Sequence, residues 1–182
     1  MRNLSIYLLT AFVAVLSASS AYPQSAANLT KQRADEFASH GAEATLKECN
    51  LPISCGGKPF VKEERERRET SNDVVVDQRT LHFDGLDIEL WYTLEYPPGK
   101  PIQNPYQQPP AILSVSITGP MWTVANGLRI GVTTDKVAEV LGGSGIARDG
   151  CVEYVNDSKQ DSVTLCFKAN RLSSIHWQPW ND

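Results

Sequence analysis

The side chains of this 182-residue chain that could carry covalent or acid–base chemistry are three histidines, four cysteines and a few paired carboxylates. Nucleophilic hydrolysis needs a serine or thiol tied to a base. Ser144 sits in Gly142-Gly143-Ser144-Gly145-Ile146, which lacks the final glycine of the G-x-S-x-G elbow. The same stretch fails the G-x-G-x-x-G phosphate-binding pattern, because Arg148 stands at its last position. His82 and His176 are flanked by apolar residues, which predicts both on the polar face of a strand. His40 falls at a predicted helix end, where a cation suits the dipole. No motif links any of the three to a serine or a free thiol. Asp84 with Asp87, and Asp157 with Asp161, fall in turns. A glycosidase acid needs a desolvated carboxyl, and an exposed turn does the reverse. The Asp157–Asp161 loop also lacks the glycine and terminal glutamate of a calcium-binding EF-hand. The expectation is therefore no catalytic residue, no metal and no cofactor.

The cysteines take their meaning from compartment. Arg2 precedes the apolar run Leu4–Leu16, and Ser19-Ser20-Ala21 follows with the small residues that a signal peptidase reads. Residues 1–21 are thus predicted to be a signal peptide cleaved near Ala21, which makes the mature protein periplasmic or secreted. In an oxidising compartment Cys49, Cys55, Cys151 and Cys166 are expected to form two disulfides; a four-cysteine zinc site is disfavoured because no C-x-x-C pair is present. Setting Cys151 opposite Cys166 in a hairpin of 151–155 with 162–167 brings Val152 opposite Leu165 and Tyr154 opposite Val163. The four apolar side chains then share one face and the cysteines the other. Cys49–Cys55 follows by elimination. The sequons Asn28-Leu29-Thr30 and Asn156-Asp157-Ser158 would accept glycans only in a eukaryotic secretory route.

The elements that position these groups follow from periodicity and turn chemistry. Residues 28–48 read as a helix capped by Asn28, with Leu29, Ala34, Phe37 and Ala38 on one side and a break at Gly41. Lys62–Glu69 (KEERERRE) alternates in sign and reads as a solvated surface segment. Asp84-Gly85 is a turn pair between RTLHF and LDIEL, setting Phe83 against Leu86 and Leu81 against Ile88. A third strand over 112–118 alternates with Leu113, Val115 and Ile117 on one face. Residues 97–110 hold six of the 11 prolines and are expected to form a projecting loop. A second helix is expected to start at the cap Thr133, bury Val137, Val140 and Leu141, and stop at Gly142. Strands at 151–155, 162–167 and 172–177 follow, the last two joined by a three-residue turn, Ala169-Asn170-Arg171. The class is α+β: short helices packed on antiparallel sheet in the order helix-βββ-helix-βββ, with halves 22–120 and 121–182 forming one compact unit.

Gly127, Gly131, Thr133, Val137, Leu141 and Gly142 fit the pattern G-x-x-x-G-x-T-x-x-x-V-x-x-x-L-G. In this segment, 127–142, the chain resembles the SmpA/OmlA (BamE-like) domain, whose fold also occurs doubled in the secreted β-lactamase inhibitor protein. The resemblance implies a scaffold rather than a reaction, in an envelope or secreted protein that works through contacts with other macromolecules.

With 41% hydrophobic and 21% charged residues the composition is that of a folded chain. A net charge of −4 argues against nucleic acid, which needs concentrated Lys and Arg. No apolar run past the leader is long enough to cross a bilayer. Aromatic residues are the remaining functional signal. Trp91 breaks the alternation of its strand, and Trp177 and Trp180 lie within four residues of each other near the C-terminus. Trp91, Tyr106, Trp122, Trp177 and Trp180 are the expected anchors for a protein partner, with the outer sheet face around Trp91 and the proline loop beside it forming one surface. The expected function is a non-catalytic binding, inhibitor or accessory module of the bacterial envelope. The alternatives are a periplasmic hydrolase acting on envelope material and a structural envelope component.

Overall fold

A computed structural model describes residues 26–70, 73–143, 145–158 and 160–179; the predicted signal peptide and Trp180 lie outside the described residues. The chain opens with α1 (Ala26–His40) and α2 (Glu43–Leu46), followed by a small sheet of β1 (Cys49–Asn50), β2 (Ser54–Cys55) and β3 (Lys58–Pro59). Four strands come next: β4 (Lys62–Glu69), β5 (Val75–Phe83), β6 (Leu86–Glu95) and β7 (Ala111–Ile117). Helix α3 (Thr134–Leu141) leads into four more: β8 (Ile146–Arg148), β9 (Cys151–Val155), β10 (Ser162–Lys168) and β11 (Arg171–Gln178). The eight long-range strands form one antiparallel sheet in the order β4-β5-β6-β7-β11-β10-β9-β8. The fold is thus α+β with two disulfides, but each half gives the large sheet four strands rather than three, and the small sheet β1–β3 precedes the first four. The two additions are β8, too short to show a period, and β4. KEERERRE has no apolar face because it is an edge strand wetted on both sides, so its strand state comes from pairing with β5 rather than from pattern.

Local registers agree with the alternation. Phe83 opposes Leu86 and Leu81 opposes Ile88 across the Asp84-Gly85 turn. Gly85 is required there: its φ is +71°, and an added Cβ would lie 2.4 Å from the Gly119 Cα. Cys151 opposes Cys166, Leu165 opposes Val152 and Val163 opposes Tyr154, and the disulfides Cys49–Cys55 and Cys151–Cys166 are both formed. Leu165 opposes Ile175 and Val163 opposes Trp177 as expected, by a different route. The turn has two residues, Ala169 and Asn170, both at positive φ, and a bulge beside Phe167 restores the offset that a third turn residue would have supplied. Alanine rarely adopts that conformation, which is why the longer turn was the natural expectation.

One face of the sheet carries the core. Leu81, Ile88, Leu90, Val115, Ile117, Val163, Leu165 and Ile175 are fully or nearly fully buried there, together with Phe37 of α1 and Val137 and Leu141 of α3. Helix α3 is built as read: the Thr133 hydroxyl accepts from the Lys136 N–H at 3.3 Å, and Gly142 ends the helix at φ +75°. Helix α1 starts before Asn28, so that residue is not its cap, and Leu29 is 42% exposed rather than part of the buried stripe. Gly41 does separate α1 from α2. A Cβ there would meet the Phe37 carbonyl at 2.5 Å and the Trp177 ring at 2.7 Å. The buried Asn156 side chain closes the β9–β10 turn. Its Oδ1 accepts from the Ser158 hydroxyl and from the backbone N–H groups of Gln160 and Asp161, while its amide donates to Ser39 and Asp161.

Residues 97–110 do not project as a free finger. Ile102 donates its N–H to Leu94, Tyr96 donates to Lys100, and the Glu95 carboxylate accepts from Gly99 and pairs with Arg67. The loop then folds Tyr106 back over the core side of the sheet, its ring 5.3 Å from that of Tyr92. The Arg79 guanidinium lies 4.6 Å from the Tyr92 ring centre and 4.7 Å from that of Tyr106. Arg79 and Arg65 both donate to Asp77, at 2.8 and 2.7 Å. Burial pushes the Asp77 carboxyl up, but the hydrogen bonds from Arg65 and Arg79 outweigh it and hold the group below its ordinary range.

Two outcomes follow from this packing. Gly41→Ala is expected to cost about 1–3 kcal/mol of unfolding free energy in urea titrations, since backbone and a buried indole must both move. The second concerns pH. With the folded pKa of Asp77 below the unfolded one, its stabilisation is present above about pH 4 and is lost as pH falls through the folded value. Asp77→Asn should therefore be less stable at neutral pH by about 1–3 kcal/mol. Its stability should also fall less steeply than that of the wild type between about pH 4 and pH 2, read from urea midpoints across the series.

Candidate functional site

Alternation sends every second residue of the central strands to the face opposite the core. Across it, His82, Asp87, Ser116, His176, Thr164 and Glu153 stand in one cross-strand row, and Glu89 and Ser114 begin the next. The described helices lie on the other side: α1 packs against α3, β9 and β10, and contributes Phe37 and Ala38 to the core. The outer face has a groove of about 640 Å³ at its centre, lined among others by Glu89, Trp91, Leu113, Glu153, Val155 and His176. Glu89 and Glu153 lie four strand steps apart, which in a flat sheet is about 19 Å. Both line the same groove.

A bulge makes part of this lining. Glu89 pairs with Ser114, but Leu90 pairs with Ile112, leaving Leu113 unopposed. Leu113 therefore joins the outer-face groove instead of the core face expected from simple alternation with Val115 and Ile117. Trp91 occupies the groove half-buried, and its indole nitrogen is shielded from solvent without a hydrogen-bond partner. Glu89 accepts hydrogen bonds from Gln78 and from the Ser114 hydroxyl, which orient it. At the β4 edge of the same face Lys62 binds Glu64 and holds its carboxyl below the ordinary range. His82 is held by Asp87 at 2.8 Å.

The predicted anchors separate. Trp91 lines the groove. Tyr106 is half exposed but sits on the opposite side of the sheet, against Tyr92, so the proline loop and Trp91 do not form one surface. Trp122 and Trp177 are core residues and not rim anchors, at 4% and 2% exposure. Their indole N–H groups are satisfied internally, Trp122 by the Asp84 carbonyl at 2.8 Å and Trp177 by the Phe37 carbonyl at 3.1 Å. Residue type could not have shown this, because the acceptors come from distant segments. Glu153, Val155 and His176, by contrast, were within reach of the sequence: they alternate with buried partners in strands whose register was legible.

Ser116 and His176 are hydrogen-bonded at 2.7 Å, the one serine–histidine pair on this face among the described residues. Both sit mid-strand, where backbone N–H groups are committed to the ladder and cannot serve as oxyanion donors. No ion pair joins a carboxylate to His176 among the described residues. No group of three or more histidine, cysteine or acidic side chains is arranged to hold a metal among them either. What the arrangement can do is bind: it offers a concave hollow with an aromatic ring, two aliphatic side chains and two carboxylates. Among the described residues no helix is long and apolar enough to cross a membrane, and the two disulfides suit an oxidising, extracytoplasmic compartment.

No family model matches the chain, and no curated protein does. Among solved structures it is similar to the uncharacterized protein yfeY from Escherichia coli, at 14% sequence identity and a TM-score of 0.36, with 64% of this chain and 81% of that one covered.

Proposed function

We propose that the protein is an exported, non-catalytic protein-binding module that recognises its partner through the outer face of the eight-stranded sheet. The observation that carries this reading is the concave hollow around Trp91, Leu113 and Val155, on a face over which no described helix packs. Eight strands span about 38 Å, and β5 and β6 are nine and ten residues long, roughly 30 Å. That comfortably exceeds the roughly 800 Å² per partner of an ordinary protein–protein interface. The leader expected over residues 1–21, the pair of disulfides and the resemblance of 127–142 to the SmpA/OmlA domain support work in the bacterial envelope, in the periplasm or beyond it.

A hydrolase is the second reading, favoured by the Ser116–His176 pair. It requires catalysis without an orienting carboxylate or an oxyanion site in reach, which costs orders of magnitude in rate.

Site-specific photo-crosslinking in the producing cell separates the two. Benzoylphenylalanine in place of Trp91 or Gln178 is expected to give discrete protein adducts, whereas the same group at Tyr106 or Met121, on exposed sites away from the groove, gives none. With the partner in hand, Trp91→Ala should weaken binding by about 2 kcal/mol or more, roughly 30-fold, and Tyr106→Ala should leave it within about twofold. Loss of any measured turnover in Ser116→Ala, with crosslinks absent from the outer face, would reverse the choice.

A further inference from the structure

The groove's charge indicates the kind of segment it takes, an inference that rests on the binding reading above. Two of its lining side chains are carboxylates, Glu89 and Glu153, and among the described residues none is a lysine or arginine. Several other carboxylates of the sheet are matched by cations: Glu63 by Arg79, Glu64 by Lys62, Asp77 by Arg65 and Arg79, Glu95 by Arg67. Glu89 is held only by the neutral donors Gln78 and Ser114. Glu153 makes no ion pair among the described residues.

Two carboxylates on one groove, with no lysine or arginine in its described lining, draw a cation in. The same lining holds the apolar side chains of Trp91, Leu113 and Val155 among polar ones from Ser114, Ser162, His176 and Gln178. A free metal ion or small amine would gain nothing from the apolar side chains. The long aliphatic stem of a lysine or arginine side chain would lie along them while the charged head reached a carboxylate, and an indole ring adds attraction for the cation. We infer that the outer-face groove receives a lysine- or arginine-bearing polypeptide segment, its cation at the Glu89 or the Glu153 carboxylate and a neighbouring apolar side chain on Trp91, Leu113 and Val155.

A random peptide display library panned on the disulfide-intact protein at low salt, with Trp91→Ala for counter-selection, tests this directly. The enriched peptides are then synthesised and titrated by calorimetry. Expected are sequences with a Lys or Arg beside a large apolar residue, bound about tenfold or more weakly by the Glu89→Gln/Glu153→Gln variant. Their affinity should also drop several-fold between about 50 and about 200 mM salt. Glu153→Gln alone reads the charge should the double variant lose stability, because Glu153 has no ion pair to forfeit. Peptides that need Trp91 but are neutral or acidic, or that ignore both carboxylate variants, overturn the cation inference and leave the groove as a binding site. If no enriched peptide depends on Trp91, the groove itself is not the binding site and both readings fall.

Discussion

Three residue pairs join the two halves of the large sheet. Ile117 with Ile175, Ser116 with His176 and Val115 with Trp177 form the ladder between β7 and β11, and without it the sheet would be two separate four-stranded meanders. With it there is one broad sheet, and α1 packed on α3, β9 and β10 ties the same halves through the core. Because sheet faces alternate, the same three pairs also define the outer surface. Val115, Ile117, Ile175 and Trp177 point into the core, so Ser116 and His176 must point out. The hollow on that side straddles the seam, taking Glu89, Trp91 and Leu113 from one meander and Glu153 and Val155 from the other.

Such a sheet leaves two free edges, and both are guarded. Strand β8 is three residues long. Strand β4 is eight residues long and charged at every position. In a twofold pairing centred on Arg65 or on Glu66, most of its cross-strand pairs would be of like charge. Two copies paired antiparallel about Arg65 would face Arg65 with Arg65, Lys62 with Arg68 and Glu64 with Glu66. Paired about Glu66, they would face Glu66 with itself, Arg65 with Arg67 and Glu63 with Glu69. The charge run is therefore the strand's defence as well as its disguise.

What the sequence revealed follows the range of the interactions involved. Helix α3 was legible in its start, its stop and the buried Val137 and Leu141, all encoded within ten residues, while Val140 is only partly buried. The β9–β10 register was legible because cysteine pairing and alternation had to agree. Leu113 was misread because a bulge shifts a face by one residue and leaves no mark in composition. Trp122 and Trp177 were misread because burying an indole depends on a carbonyl far away in the chain, Asp84 for one and Phe37 for the other. The proline loop was misread because stiffness does not specify direction; Tyr106 turns back to a cation supplied by β5. The groove emerged only once eight strands had been set side by side.

The turn between β9 and β10 bears on how the protein can be manufactured. Asn156 belongs to a sequon, yet its side chain is buried and its amide nitrogen is engaged by Ser39 and Asp161. An oligosaccharyltransferase meeting the finished fold would find no acceptor nitrogen to use. A sugar added earlier, to the nascent chain in a eukaryotic host, would occupy the space that the turn must close over, so material for biochemistry is best made where no such enzyme operates.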